Sequence, residues 1–233
     1  MLLTTFLQVT LNQNPAADAA LAGKTQTTLS ALELAVKGGW VMIILALLLV
    51  IAVYIFFERY MALRNASKED TNFMNRIKDY IHDGKIEAAA SLCQTTDNPI
   101  SRMIEKGISR LGRPLNDINT AVENIGNLEI AKLEKGLPTL ATISGGAPMI
   151  GFLGTVIGMI RAFYDMSQAG NNIDVSLLSN GIYTAMVTTV GGLIVGILAY
   201  FAYNYLVARV EKVVYKVEAR TTEFMDLLNE PVN

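Results

Sequence analysis

The sequence predicts an all-α membrane protein with three transmembrane helices, and three long apolar segments are the basis for this prediction. They lie at residues 40–57, 139–163 and 176–207, and the first is an unbroken apolar run. Each has about the 20 residues that a helix needs to cross the hydrocarbon core of a bilayer. Segments that cross lipid as single units must satisfy their backbone polar groups internally, which favours helices. No segment between them shows the alternation of a β-strand.

The distribution of basic residues predicts how the chain crosses the membrane. Of the 19 Lys and Arg residues, twelve lie within 58–138 and four follow Ala208. The positive-inside rule therefore places 58–138 and 208–233 in the cytoplasm, with the short loop 164–175 outside. Segment 1–39 is also predicted outside, where we expect an uncleaved segment with a helix on the membrane surface. Cleavage of a signal-like start is the alternative.

The cytoplasmic region 58–138 is predicted to be helical. Ser67 has the side chain of an N-cap and precedes a segment with helical spacing of apolar residues. Asn98 followed by Pro99 is typical of a helix start, and Pro114 is expected to open the next helix. That last helix is expected to run almost straight into the second span. A cytoplasmic C-terminal helix is predicted at 208–233, and long helices are expected to extend from the membrane into the cytoplasm.

Composition argues against several classes of function. Cys93 and His82 are the only residues of their kinds, so an internal disulfide, a cysteine zinc cluster and a histidine metal site are not expected. The sequence offers no nucleophile–base set or phosphate-binding loop, and we predict neither an enzyme nor a cofactor. A basic stripe with interleaved aromatic residues is also missing, and we expect no nucleic-acid partner.

Small residues form a stripe on each of the last two spans. Such stripes allow close approach of helices in membranes. One three-helix chain does not easily bury two of these faces, so we expect the chain to repeat around a closed ring. The second span contributes Ala147, Gly151, Gly154, Gly158 and Ala162, and the third contributes Ala185, Gly192, Gly196 and Ala199.

Four threonines lie beside these stripes, although neither 137–160 nor 175–208 contains a charged residue. An isolated membrane threonine commonly bonds a carbonyl of its own helix. A cluster could instead line a hydrated seam, because a hydroxyl both donates and accepts hydrogen bonds. Any titrating group on such a seam must then come from elsewhere. The four are Thr155, Thr184, Thr188 and Thr189.

Three separated segments resemble the ExbB/TolQ/MotA proton-channel family, in the family's order. They are GFLGTVIGM at 151–159, GIYTAMVTTVGGL at 181–193, and the cytoplasmic stretch 84–111. The resemblance covers about residues 35 to 210. Three spans match the ExbB/TolQ branch, whereas MotA-like members have four.

The resemblance implies a homopentamer in the inner membrane of a Gram-negative bacterium. The ring would surround two ExbD- or TolR-like single-span subunits, whose aspartate carries protons. Thr155 and Thr189 match the family threonines that face this aspartate. The implied function of an ExbB-like protein is to convert proton motive force into work on a TonB-like protein for outer-membrane transport.

Several alternatives stay open at this point. A TolQ-like role in envelope integrity and a non-conducting membrane scaffold are the two rival functions, and Na⁺ is the rival ion to H⁺. Many family members carry a glutamate at the position that matches Thr184. Its absence here implies a greater dependence on the partner aspartate, hydroxyls and water.

Overall fold

The computed structural model describes residues 38–67, 72–168 and 175–229, and these residues form helices without a β-strand. The all-α prediction is therefore confirmed for the described part of the chain. The described part of the chain contains seven helices: α1 (Trp40–Ala66), α2 (Phe73–His82), α3 (Ile86–Thr95), α4 (Pro99–Ile108), α5 (Leu115–Glu134), α6 (Leu137–Gln168) and α7 (Val175–Asn229).

Within the described residues, three helical stretches are long and apolar enough to cross a membrane, and they overlap the three predicted spans. The chain is thus a multi-pass membrane protein. Helix α1 continues past the end of the predicted span at residue 57 to Ala66, and α6 continues beyond 163. Helix α7 is unbroken over 55 residues, so the segment after 207 continues the third span as one long helix. Asp165 consequently lies on α6 rather than in a loop.

The three long helices pack against one another and leave an apolar exterior. Leu45 and Ala52 of α1, and Leu140 and Ala147 of α6, are buried in this packing. Large apolar side chains cover the outer faces of the same helices, including Phe152, Ile160, Met186, Ile194 and Phe201. An exposed apolar surface of this extent is expected where helices meet lipid or other membrane helices.

The second half of α7 supports helices α2 to α5, which together we call the α2–α5 region. Val213, Val217 and Phe224 of α7 are buried against this region. A Cβ atom at Gly107 of α4 would lie 2.9 Å from both Phe224 Cζ and Val122 Cγ2. The bare glycine therefore lets α4 lie directly on the Phe224 ring. One helix thus continues from the membrane-spanning part into the α2–α5 region.

Two local predictions are confirmed and one is wrong. The Asn98 side chain accepts a hydrogen bond of 2.6 Å from the Ser101 backbone N–H, forming the expected cap before Pro99. Pro114 precedes α5 as predicted. Ser67 does not begin a helix; it ends α1, and its N–H donates to the carbonyl of Leu63. Helix α1 therefore extends past the charged pair Glu58 and Arg59 to Ala66.

The junction of α5 with α6 also differs from the prediction of a nearly straight helix. Gly136 has φ of +85°, a left-handed conformation that favours glycine, and it separates the two helices. The predicted surface helix within 1–39 and the loop residue Asp174 lie outside the described residues. The same is true of residues 230–233, at the end of the predicted segment 208–233.

Candidate functional site

The interface between α6 and α7 is built on direct backbone contact. A Cβ atom at Gly151 would lie 2.7 Å from the Thr188 carbonyl oxygen and 3.0 Å from Gly192 Cα. A Cβ atom at Gly192 would lie 2.6 Å from the Ala147 carbonyl oxygen. Only glycine fits at these two positions, because real Cβ atoms do not approach other atoms so closely.

The two small-residue stripes face each other within one chain. Gly158 lies against Ala185, since an added Cβ would be 2.7 Å from the Ala185 methyl group. Gly196 lies against Pro148 and the Ser144 carbonyl oxygen at the other end. The expectation that a ring is needed to bury both stripes is therefore wrong. Each stripe buries the other, so the stripes themselves give no argument for a ring.

Thr188 lies at the centre of this interface. Its side chain is only 2% exposed, and Gly154 leaves the space that the Thr188 side chain occupies. The Thr188 hydroxyl lies 2.7 Å from the Ala185 carbonyl oxygen of its own helix and 3.2 Å from the Gly151 carbonyl oxygen of α6. In this single chain, Thr188 connects two helices and does not line an open seam.

Thr189 and Thr155 lie at the edge of the same interface, and both are half-buried. The Thr189 hydroxyl donates to the Gly151 carbonyl oxygen across 3.2 Å. Thr155 follows Gly151 by one helical turn, so it lies on the same side of α6. Its hydroxyl donates within α6 to the Phe152 carbonyl oxygen at 2.5 Å. The structure thus places both threonines around the turn that begins at Gly151.

The remaining predicted threonine, Thr184, is half-buried on α7, one turn before Thr188. Helix α1 covers the interface near this level. A Cβ atom at Gly38 would lie 3.4 Å from the Thr188 methyl group, and Met42 reaches the backbone at Gly191. The site therefore combines half-buried hydroxyls with a closed apolar wall. It can donate and accept hydrogen bonds, but its two uncharged segments cannot titrate.

A buried carboxylate outside the spans was not singled out from the sequence. Glu129 of α5 is 3% exposed and forms ion pairs with Arg102 of α4 at 2.6 Å and with Lys132 at 2.7 Å. The sequence pattern does indicate that Glu129 is buried, because Glu129 shares its helical face with the buried residues Val122 and Leu133.

Charge compensation keeps this carboxylate ionised. Burial opposes ionisation of Glu129, but hydrogen bonds from Arg102 and Lys132 outweigh it and lower the pKa of the carboxyl group. Burial likewise opposes the charge of Arg102, yet its bond to Glu129 raises the pKa of the guanidinium. Arg59 of α1 donates to the Lys132 carbonyl oxygen at 3.0 Å, which ties the first span to this cluster.

Comparison with known proteins identifies relatives over most of the chain. A 189-residue stretch, 80% of this chain, is 30% identical to a putative biopolymer transport protein ExbB homolog from Methanothermobacter thermautotrophicus, covering 66% of that protein. The Tol-Pal system protein TolQ of Pseudomonas aeruginosa is 27% identical over 76% of this chain and 81% of its own length. Biopolymer transport protein ExbB of Aquifex aeolicus is 35% identical over 43% of this chain and 69% of its own length.

Relatives with both names, ExbB and TolQ, are found, so these similarities support the family without separating the two roles. The model of the MotA/TolQ/ExbB proton channel family matches residues 95–219, which contain α6, the Gly151 turn and most of α7. The second and third spans and the threonine-bearing interface lie within this match, whereas α1 precedes it. The chain therefore belongs to the MotA/TolQ/ExbB proton channel family.

Proposed function

We propose that this chain is the ring-forming subunit of a proton-driven motor in the inner membrane, with an ExbB-like role. Five copies would surround two ExbD/TolR-like single-span helices, each carrying an aspartate. The observation that carries this proposal is the pairing of Thr155 and Thr189 around the Gly151 turn, in spans that lack a titrating group. The hydroxyls of the site can form hydrogen bonds with a carboxyl group, and the two spans contain no carboxyl group of their own.

The proposed cycle begins when a proton from outside neutralises the partner aspartate beside these hydroxyls. A hydroxyl serves both forms of the aspartate, because it donates to the carboxylate and accepts from the carboxylic acid. Neutralisation removes the cost of moving a charge past apolar surface, so the partner helix can turn within the ring. Release of the same proton to the cytoplasm restores the charge. Each crossing supplies about 2.3 kcal/mol per 100 mV of membrane potential.

The rigid wall around the hydroxyls supports a stationary role for this chain. Gly151 and Gly192 bring α6 and α7 into backbone contact, and α7 continues unbroken into the α2–α5 region. A stiff ring can hold its position while a partner helix moves inside it. In this proposal the work is passed to a TonB-like protein for outer-membrane transport, and the chain performs no enzymatic reaction.

A double substitution, Thr155→Val with Thr189→Val, tests the role of the hydroxyls. The chain and its single-span partner are reconstituted together in vesicles, and proton uptake is followed with an internal pH-sensitive dye under an imposed potential. We expect at least about a hundredfold loss of uptake, the lower end of the range for removing a group that takes part in proton transfer. Thr142→Val is the matched control, since Thr142 is an exposed threonine of α6 that donates to the Pro138 carbonyl oxygen at 2.9 Å.

The mass of each purified complex separates loss of conduction from loss of assembly. A complex of five chains and two partners with normal uptake after both substitutions contradicts the proposed seam. A chain that binds no partner, and whose vesicles take up no protons, supports the scaffold alternative. A TolQ-like role in envelope integrity is the second candidate, favoured by the similarity to TolQ over three quarters of this chain. Copurification with a Tol-like rather than a TonB-like protein would decide for it.

A further inference from the structure

An open groove lies between α1 and α7, away from the threonine site. Its volume is about 580 Å³, and its walls are almost entirely apolar. Phe57 and Phe201 on its rim are 58% and 67% exposed, so the groove opens to the surroundings of the helices. The proposed proton route does not use this groove, and its occupant is a separate question.

The groove has the depth of one membrane leaflet. On α1 it extends from Leu49 to Tyr60, and on α7 from Leu198 to Tyr205. The twelve residues from Leu49 to Tyr60 are separated by eleven helical steps, which correspond to roughly 16 Å at about 1.5 Å per step. Half of the hydrocarbon core of a bilayer is roughly 15 Å thick. An acyl chain that lies along the groove would therefore end near the boundary of that leaflet.

Aromatic rings close the end of the groove that lies towards the α2–α5 region. The rings of Tyr60 and Tyr205 stack with their centroids 6.3 Å apart, and Phe56 lies 6.1 Å and 6.2 Å from them. Tyrosines prefer the level of the lipid headgroups, where the ring contacts apolar chains and the hydroxyl contacts water. This end of the groove thus lies at the membrane boundary.

Two arginines lie beyond these tyrosines, on the same faces of α1 and α7 that line the groove. Arg64 follows Tyr60 by four residues and Arg209 follows Tyr205 by four, so each lies one turn further on the same helix face. The Arg209 guanidinium lies 5.3 Å from the centre of the Tyr205 ring and donates to its hydroxyl at 2.9 Å. Both arginines are exposed. The apolar groove therefore has positively charged side chains beyond this end.

The nearest acid on α1 is directed elsewhere. Glu58 accepts a hydrogen bond from Arg59, and the same guanidinium donates to the Lys132 carbonyl oxygen of α5. This pair therefore lies on the side of α1 that faces α5. On α7, Glu211 borders a different cavity, between α6 and α7. Among the residues that the structure describes, these two acids therefore leave Arg64 and Arg209 available to an anion at the end of the groove.

We propose that this groove binds an anionic phospholipid, with one acyl chain between α1 and α7 and its phosphate at Arg64 and Arg209. The lipid belongs to the leaflet on the side of the α2–α5 region. A phosphate lies at this depth in every such lipid, whereas a helix of a second copy would need to bring an acid to the same level. This inference does not depend on proton conduction.

Native mass spectrometry of the full chain tests the site. The chain is reconstituted in vesicles of equal parts phosphatidylglycerol and phosphatidylcholine, extracted in mild detergent, and its retained lipids are counted. We expect phosphatidylglycerol to be retained in preference. Each basic residue near a membrane contributes about fivefold in affinity, so Arg64→Gln with Arg209→Gln should weaken retention about 25-fold. The matched control is Arg110→Gln with Arg113→Gln, which removes the same charge between α4 and α5.

A second variant tests the groove itself. Ala202→Phe places a ring in the groove, and we expect it to displace the lipid while the helical circular dichroism spectrum is preserved. Equal retention of the two lipids by the unaltered chain overturns the proposal, as does equal retention by the arginine variant and its control. If Ala202→Phe lowers the number of chains per complex and leaves the lipid count unchanged, the groove holds a second copy and the proposal is wrong.

Discussion

The α6–α7 interface and the α4–α5 interface satisfy their buried polar groups in opposite ways. Between α6 and α7, hydroxyls bond to backbone carbonyls, as Thr188 and Thr189 do at Gly151. Between α4 and α5, the carboxylate of Glu129 is neutralised by Arg102 and Lys132. Lipid strongly disfavours charge, and a region outside it can hold ion pairs at lower cost. The first interface thus contains no charge of its own, whereas the charge in the second is already balanced.

The largest effect is expected from breaking the uncharged interface at its closest point. Gly151→Leu places a side chain where a Cβ atom alone would lie 2.7 Å from the Thr188 carbonyl oxygen. Backbone atoms cannot yield as a flexible side chain can, so α6 and α7 must separate. We expect a loss of more than about 3 kcal/mol in the free energy of unfolding, beyond the usual range for overpacking. Unfolding in mixed detergent micelles, followed by circular dichroism, measures it.

Gly145→Leu is the matched control for this substitution. Gly145 is on the same helix and exposed, and an added Cβ there would meet no atom within 4 Å. We expect its unfolding transition to remain close to that of the unaltered chain. Equal stability of the two variants would show that α6 and α7 do not approach closely at Gly151. The description of the α6–α7 interface as one of direct backbone contact would then be wrong.

A smaller effect is expected when the charged interface is neutralised. Glu129→Gln leaves Arg102 and Lys132 without their counter-ion, and breaking a buried pair costs about 3–5 kcal/mol. Here the two cationic side chains are 41% and 60% exposed, so solvent reduces the expected loss to about 1–2 kcal/mol. The same unfolding measurement at pH 7 gives the value. Glu123→Gln is the control, because Glu123 is an exposed acid of α5 bonded to Asn119.

The pH dependence of the stability lost in Glu129→Gln separates the contribution of the ion pairs from that of packing. The pKa of Glu129 is lowered by its partners from an ordinary value of 4.5, so the folded chain binds fewer protons than the unfolded one. Its stabilising effect is complete above the unfolded pKa and disappears as the pH falls through the folded pKa. The difference between the unaltered chain and Glu129→Gln should therefore shrink below about pH 4.5. A difference that stays constant to pH 3 would assign the loss to packing.

The spans and the close-packing residues could be predicted from the sequence because composition alone marks them. A long uncharged segment has few alternatives to a membrane helix, and a glycine repeated at one face indicates close approach. What each glycine touches could not be predicted. Gly151 contacts Gly192 of the same chain. From the sequence alone, a helix of a neighbouring copy was an equally good candidate for this contact. Pairing between helices depends on tertiary geometry, which periodicity does not contain.

The role of each threonine could not be predicted from the sequence either. Thr188 and Thr189 are adjacent in sequence, yet a helix rotates about 100° per residue, so one is buried and the other half-buried. Ser67 shows the same limit, since a residue with cap chemistry can end one helix instead of beginning the next. Glu129 was visible as a buried position, but its two partners are on different turns and different helices.

The smallest effect is expected from removing the buried hydroxyl of Thr188. Thr188→Val keeps the shape of the side chain and removes the bond to the Ala185 and Gly151 carbonyl oxygens. Both carbonyls lie within helices that already supply backbone donors, and hydrogen bonds between membrane helices contribute about 0.6 kcal/mol on average. We expect a loss of about 0.5–1 kcal/mol in the detergent unfolding measurement. Thr142→Val, which removes a bond within α6 alone, should change stability less. A loss above about 2 kcal/mol would mean that the hydroxyl holds the two helices together, so that the uncharged interface depends on polar contacts as strongly as the charged one.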